Sequence, residues 1–209
     1  MNGTIDTIDA INHAILPAWP DPGHDAQNVF RQVLQALSEP GTIQTLAIDL
    51  PVPAPLHPAT TALCLTLLDM DTPLWIDHAS HAAQAYLRFH CGCPLVEDRA
   101  TAQFVVSTDP ATLQPDQFQQ GSITYPDRSA TLIVQVTSLT DGPTRRLTGP
   151  GIASSSTLRI AGLTSDFSAR WAVNHAGFPC GVDLIFCSGT QFVALPRSTV
   201  LRDITPESK

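Results

Sequence analysis

The chain has 209 residues, 43% of them hydrophobic and 14% charged, enough apolar content to bury a substantial core and too much for a disordered or fibrous protein. Nineteen acidic against eleven basic residues give a formal charge of -8, which opposes attraction to phosphate backbones or anionic lipid, so neither nucleic acid nor a membrane is an expected partner. Five cysteines, no run of ~18 apolar residues, and a start (Met1 to Asp9) with two acids and no Lys or Arg predict a reduced, soluble, cytoplasmic protein without a secretion signal.

In chain order, residues 1–24 read as an N-terminal arm broken by Pro17, Pro20 and Pro22, and residues 25–209 as a single α/β domain. Val29, Phe30, Val33, Leu34 and Leu37 share one helical face, with Asp25 placed to cap the helix. Ser38-Glu39-Pro40-Gly41 ends it and turns the chain into an extended Thr42 to Leu50. A connector with Pro51, Pro53, Pro55 and Pro58 precedes Ala59 to Leu68, apolar on nearly every side and so a buried helix. Pro73 to Asp77 reads as a strand. The stretch from His78 or Ala79 to His90 reads as a helix with Ala82, Ala83, Tyr86 and Leu87 at helical spacing, stopped by Gly92 and Pro94.

Phe104-Val105-Val106 is a second strand, and a polar stretch with Pro110, Pro115 and Gly121 has room for one short helix. Thr131 to Leu139 has the β-branched content of a central strand and is expected to form a hairpin with Arg145 to Thr148 across an Asp141-Gly142 turn. Asp166 to His175 places Phe167, Trp171 and Ala172 on one helical face, with Gly177 beyond its end. A hairpin closes the chain, Val182 to Cys187 turning at Ser188-Gly189-Thr190 into Gln191 to Pro196. Early alternation of strands and helices and late strand pairing predict a mixed sheet with flanking helices.

The chemistry is bounded mainly by what is missing. Ten arginines accompany one lysine, Lys209, the last residue, so no interior amine can form a Schiff base and no Gly-Lys-Ser/Thr phosphate loop exists. No Gly-x-Ser-x-Gly elbow is present. His90-Cys91-Gly92-Cys93 brings an imidazole and two thiols together, but zinc sites use Cys pairs two to four residues apart and a second pair elsewhere, so neither a metal nor a redox role is expected. His78 and His81 share a helical face without the glutamate of a His-Glu-x-x-His motif. Gly149-Pro150-Gly151 and the following serines, with Arg145 or Arg146, carry a weak phosphate-cradle signal; adjacent strand residues point to opposite faces, so at most one of the two arginines serves a given ligand.

Several stretches, in order, resemble one family. They are Asp25-Ala26-Gln27, Phe30-Arg31, Leu37-Ser38-Glu39-Pro40-Gly41, Leu67-Leu68-Asp69 with Thr72-Pro73-Leu74-Trp75, and Leu87-Arg88-Phe89-His90 with Pro94-Leu95-Val96. Val136-Thr137-Ser138-Leu139, Arg146-Leu147-Thr148-Gly149-Pro150-Gly151-Ile152, Phe178-Pro179 with Gly181-Val182-Asp183-Leu184, and Ala194-Leu195-Pro196-Arg197-Ser198-Thr199 complete the set. The chain thereby resembles the PhnH family, core subunits of the bacterial carbon-phosphorus lyase system, and departs from its pattern at Cys91 and Cys93. The resemblance implies a fold similar to pyridoxal-phosphate-dependent transferases without the cofactor, a homodimer, and assembly with the G, I and J subunits. It implies phosphonate catabolism, in which an alkylphosphonate is transferred to the anomeric carbon of a nucleoside triphosphate with loss of the base.

With no catalytic residue, metal or cofactor readable in the chain, the expectation is a non-catalytic or accessory subunit of that complex. If an anionic phosphonate or nucleoside triphosphate binds here, the candidates inside the matching stretches are Arg31, Arg88, His90, Arg146 and Arg197. The alternative is a free-standing protein that binds a phosphonate or nucleotide.

Overall fold

The computed structural model describes residues 15–77 and 81–204. Helix α1 (Pro22–Ser38) begins a turn earlier than expected. Asp21, not Asp25, is its N-cap: the Asp21 carboxylate accepts from the His24 amide at 3.2 Å, and the Asp25 carboxylate accepts from the Asp21 amide at 3.1 Å. Pro22 supplies the first helical position, where a missing N–H costs nothing and φ is already set. Val29, Val33 and Ala36 are buried, whereas Phe30 and Leu34, expected on the same face, are 45% and 51% exposed. The layer beneath covers one stripe of the helix fully and leaves the adjacent Phe30 and Leu34 about half exposed.

Beyond Gly41 the extended segment pairs only over β1 (Gln44–Thr45). Helix α2 (Pro58–Leu67) buries Ala59 through Cys64 without interruption, as its uniform apolarity requires. Then come β2 (Leu74–Ile76), α3 (His81–Cys91) and β3 (Phe104–Ser107). On α3, Ala83, Tyr86 and Leu87 are buried while Ala82 faces outward. The polar stretch holds short 3-10 turns in place of a helix.

Strands β4 (Thr131–Gln135) and β7 (Asp183–Ser188) follow β2 and β3 in one parallel set; β8 (Gln191–Leu195) runs antiparallel to β7, and β1 antiparallel to β8. The spatial order is β1-β8-β7-β4-β3-β2. Period-two alternation assigns the faces. Val106, Ile133, Ile185, Cys187, Phe192 and Ala194 pack beneath α1, α2 and α3. Val105, Leu132, Val134, Leu184, Phe186, Val193 and Leu195 pack into a second core. Burial on both sides is why these strands read as continuous apolar runs.

The second core is closed by helix α4 (Phe167–Ala176) and a three-stranded antiparallel sheet, β6 (Ser156–Arg159), β5 (Thr144–Thr148) and β9 (Val200–Asp203), contributing Phe167, Trp171, Leu147, Leu158 and Leu201. The expected hairpin between Thr131–Leu139 and Arg145–Thr148 does not form. β4 has β3 on one side and β7 on the other and so has no free edge; the chain crosses after Leu139 to the smaller sheet, where β5 pairs with β6 and β9. The closing hairpin β7–β8 is as expected. Residues 15–20 lie along the helical layer: Ile15, Ala18 and Trp19 pack on its core, and Tyr86 Oη donates to the Pro17 carbonyl at 3.3 Å.

Candidate functional site

In open sheets of this kind ligands bind beyond the carboxyl ends of the parallel strands. There Asp77, at the end of β2 and 9% exposed, accepts hydrogen bonds from the Ser107 hydroxyl (3.1 Å), the Thr108 amide (2.5 Å) and hydroxyl (2.8 Å), and the Asp109 amide (3.2 Å). These four donors fasten the loop after β3 to the end of β2. Two clefts flank that loop. One, of about 590 Å³, is lined by Trp75, Asp77, Gln84, Glu97, Arg99 and Thr112 among others; its Arg99 guanidinium stacks 4.6 Å from the Trp75 ring centroid.

The other cleft, of about 340 Å³, includes His57, Thr108, Gln135, Thr137 and Ser188. His57 stands at the N-terminus of α2. Its backbone N–H donates to Gln135 Oε1 at 2.5 Å, Gln135 Nε2 donates to the Pro55 carbonyl at 3.1 Å, and Ser188 Oγ donates to the Thr137 carbonyl at 3.3 Å. With four donors on it, Asp77 is an anchor and not a free base. Asp77→Asn is expected to lower stability by about 1–2 kcal/mol, because an amide nitrogen would face donors that need an acceptor. Thermal denaturation checks this, and an unchanged midpoint would mean the loop is held by other contacts.

The five candidates from the sequence stand elsewhere, and none lines either cleft. Arg31 on α1 and Arg88 on α3 are exposed. His90, on α3, bonds through Nε2 to the Leu16 carbonyl at 2.9 Å, with its ring against Tyr86 and Phe89. These three belong to the helical layer. Arg146 lies on β5, where burial alternates: Arg145 is 4% exposed and pairs with Asp203 (3.2 Å) and Ser168, Arg146 points outward, and Leu147 is buried.

Arg197 follows β8. Its Nη2 meets Asp183 Oδ2 at 2.5 Å, Nε donates to both Asp183 oxygens (3.1 and 3.2 Å), and Nη1 donates to the carbonyls of Pro126 (2.8 Å) and Pro179 (3.4 Å). The arrangement ties the loops at 126 and 179 to the first residue of β7. No hydrogen bond or ion pair joins any two of the five candidates among the described residues.

The glycine-rich turn is filled by protein. Gly151 (φ +79°) lies so close to the end of α1 that a Cβ there would overlap the Ser38 carbonyl oxygen and come within 2.9 Å of Pro40 Cδ; a Cβ on Gly149 would be 3.0 Å from the Ser198 carbonyl oxygen. The Gly41 amide donates to the Ala194 carbonyl at 3.3 Å. Trp171 Nε1 donates to the Thr199 carbonyl at 2.8 Å, and His175 Nδ1 meets the Arg197 carbonyl at 2.9 Å. Stretches far apart in sequence (38–41, 147–151 and 194–199) therefore meet at one junction between the layers, which gives the glycines of the turn a structural role.

Among the described residues no three His, Cys, Asp or Glu side chains are grouped to hold a metal, and no helix is long and apolar enough to cross a membrane. His78, the expected neighbour of His81 on one helical face, lies outside the described residues. Asp77, His57 and Gln135 were not singled out from the sequence. The readable signals were Asp77 itself, a charged residue ending a predicted strand, and the Ser107-Thr108-Asp109 run that follows the next one.

Residues 17–202 match the family described as bacterial phosphonate metabolism protein (PhnH). The chain is 37% identical over 187 residues to the alpha-D-ribose 1-methylphosphonate 5-triphosphate synthase subunit PhnH of Rhizobium meliloti (strain 1021), covering 88% of this chain and 94% of that relative. It is 32% identical over 182 residues, 87% of each chain, to the putative C-P lyase subunit protein HtxG of Stutzerimonas stutzeri.

Proposed function

The chain belongs to the PhnH family of bacterial phosphonate metabolism proteins, and from that premise we propose that it is an accessory subunit of a ribose 1-phosphonate 5-triphosphate synthase within a carbon-phosphorus lyase complex. The observation that carries this reading is the 37% identity to a named synthase subunit across 94% of that subunit's length. The chain's own role is to bind and position partners while others perform the transfer of an alkylphosphonate onto a nucleoside triphosphate. It works in the cytoplasm as a homodimer joined to the G, I and J subunits, as one α/β domain over 25–209 with the layout of a pyridoxal-phosphate-dependent transferase and without the cofactor. The confinement of lysine to position 209 accords with that last point, since an aldimine needs a lysine in a pocket.

Two surface features support a partner-bound role. Large apolar side chains stand exposed on the helical layer (Phe30 and Leu34 on α1, Phe89 on α3 at 60%) and around the N-terminal end of β7 (Ile123 77%, Val173 72%, Phe178 58%). Such side chains on a folded surface favour a partner-bound state. Arg31, Arg88 and Arg146 are the outward-facing candidates for a partner's acids or an anionic ligand. Alanine at each is expected to change folding stability by no more than ~0.5 kcal/mol while reducing the yield of assembled complex; thermal denaturation alongside co-purification measures both. Full assembly by all three variants would remove these arginines from the interface.

Deletion of the gene tests the function itself. Loss of growth with methylphosphonate as sole phosphorus source, with growth on phosphate retained and the defect corrected by a plasmid copy, is the expected result. Unimpaired growth on methylphosphonate would overturn it.

A further inference from the structure

The cleft of about 590 Å³ beside β2 holds a half-buried arginine without a carboxylate. Arg99 opens a 3-10 turn (Arg99–Thr101) whose cap, Asp98, is committed to the Ala100 amide at 3.0 Å. None of the ion pairs among the described residues includes Arg99. Its guanidinium lies over the Trp75 ring, 4.6 Å from the centroid, and 5.7 Å from that of Phe118, while Nη1 donates to Gln117 Oε1. Stacking occupies the face of a guanidinium and leaves its N–H edge for an oxyanion. Here the Nε and Nη2 hydrogens meet no acceptor among the described residues. The rings and Gln117 already restrain the side chain, so little freedom is lost when an anion binds.

The other charges in the cleft decide which anion. Asp77 and Glu97 line it with Arg99, so two carboxylates stand against one guanidinium in a chain of formal charge -8, a balance that repels a polyanion such as a triphosphate. Asp77 is committed to its four donors. Glu97 is exposed and has neither hydrogen bond nor ion pair among the described residues, and Gln84 on α3 offers an unengaged amide, donor and acceptor together. Free groups of both signs converge beside an aromatic wall. We propose that this cleft binds a small zwitterion, its oxyanion (phosphonate or carboxylate) on the Arg99 edge and its ammonium toward Glu97. The cleft lies beyond the carboxyl end of β2, where open sheets take ligands. Every group it uses belongs to this chain, so binding does not depend on assembly with other subunits.

The test is titration calorimetry of the whole purified protein with 2-aminoethylphosphonate and β-alanine, which distinguish the two oxyanions, and with ethylphosphonate, propionate and ethylamine, which each lack one charge. The better zwitterion is expected to bind at a single site about tenfold tighter than ethylamine, because a charge-assisted contact to Arg99 is lost. It should bind about threefold tighter than its analogue without the ammonium, a smaller factor because Glu97 is exposed. Glu97→Gln should erase that threefold preference, and Arg99→Gln should abolish binding of both zwitterions with the thermal transition retained. No binding of either zwitterion to the wild type at about 10 mM, an analogue without the ammonium binding as tightly, or a preference undiminished in Glu97→Gln would overturn the proposal, whether or not Arg99→Gln folds.

Discussion

Arg197→Ala is expected to destabilise the fold by about 3 kcal/mol, lowering the thermal midpoint by roughly 6–12 °C for a chain of this size. The reason is the company the side chain keeps. Arg197 and Asp183 are 14% and 21% exposed, so removing the guanidinium leaves a mostly buried carboxylate without its partner. Breaking such a pair costs about 3–5 kcal/mol, taken here at the lower end because water still reaches both groups. The same change leaves the Pro126 and Pro179 carbonyls short of a donor. Asp183→Ala should destabilise to a similar extent, and it also frees the Arg197 backbone amide that donates to Asp183 at 2.8 Å. Arg31→Ala is the exposed control. Circular dichroism melts of the three variants decide the matter. An Arg197→Ala midpoint equal to the wild type would show that the ion pair contributes nothing and return Arg197 to the pool of residues available to a ligand.

Gly151→Ala is expected to be at least as damaging, about 3–4 kcal/mol. Position 151 has φ +79° and no room: an added methyl meets the Ser38 carbonyl oxygen, a backbone atom that cannot rotate away, and also the Pro40 ring. Left-handed backbone in a non-glycine residue costs about 1–2 kcal/mol, and overpacking adds about 1–3 kcal/mol. Gly189→Ala isolates the first contribution, since Gly189 also has positive φ (+57°) but nothing within 4 Å of its Cβ position. It should lose only about 1 kcal/mol. Chemical denaturation with urea gives both values. Equal losses at the two positions would mean that the end of α1 yields freely and that the junction at Ser38, Gly151 and Ser198 does not brace the layers.

Elements with a strong local period were legible from the residues. The uniform apolarity of α2, the short apolar runs of β3 and β7, and the Ser188-Gly189-Thr190 turn announce themselves because the forces that form them act over a few neighbours. The elements missed depend on distant partners. β6 and β9 are four residues each, too short to show a period of their own, and pair on either side of β5. The β4 hairpin failed for the opposite reason: its turn signal was real, but β3 and β7 already occupied both edges. Asp21-Pro22 was a readable helix start, obscured by grouping Pro22 with the prolines before it.

Phe30 and Leu34 mark a sharper limit, because an apolar stripe has the same spacing whether it faces this chain or another. At the candidate site, sequence order could list Arg197 beside Arg31, Arg88 and Arg146. Only the fold brings Asp183 across fourteen positions to meet it, or carries the Ser107 to Asp109 donors to Asp77.

The central claim is that this chain acts as a subunit. It is tested most directly by co-expressing it, as the only tagged chain, with the other core subunits of its carbon-phosphorus lyase system and measuring the mass of the retained material by size-exclusion chromatography with light scattering. A species of defined stoichiometry containing two copies of this chain with the G, I and J subunits is the predicted result. A lone species of this chain, recruiting no partner at any concentration, would contradict it.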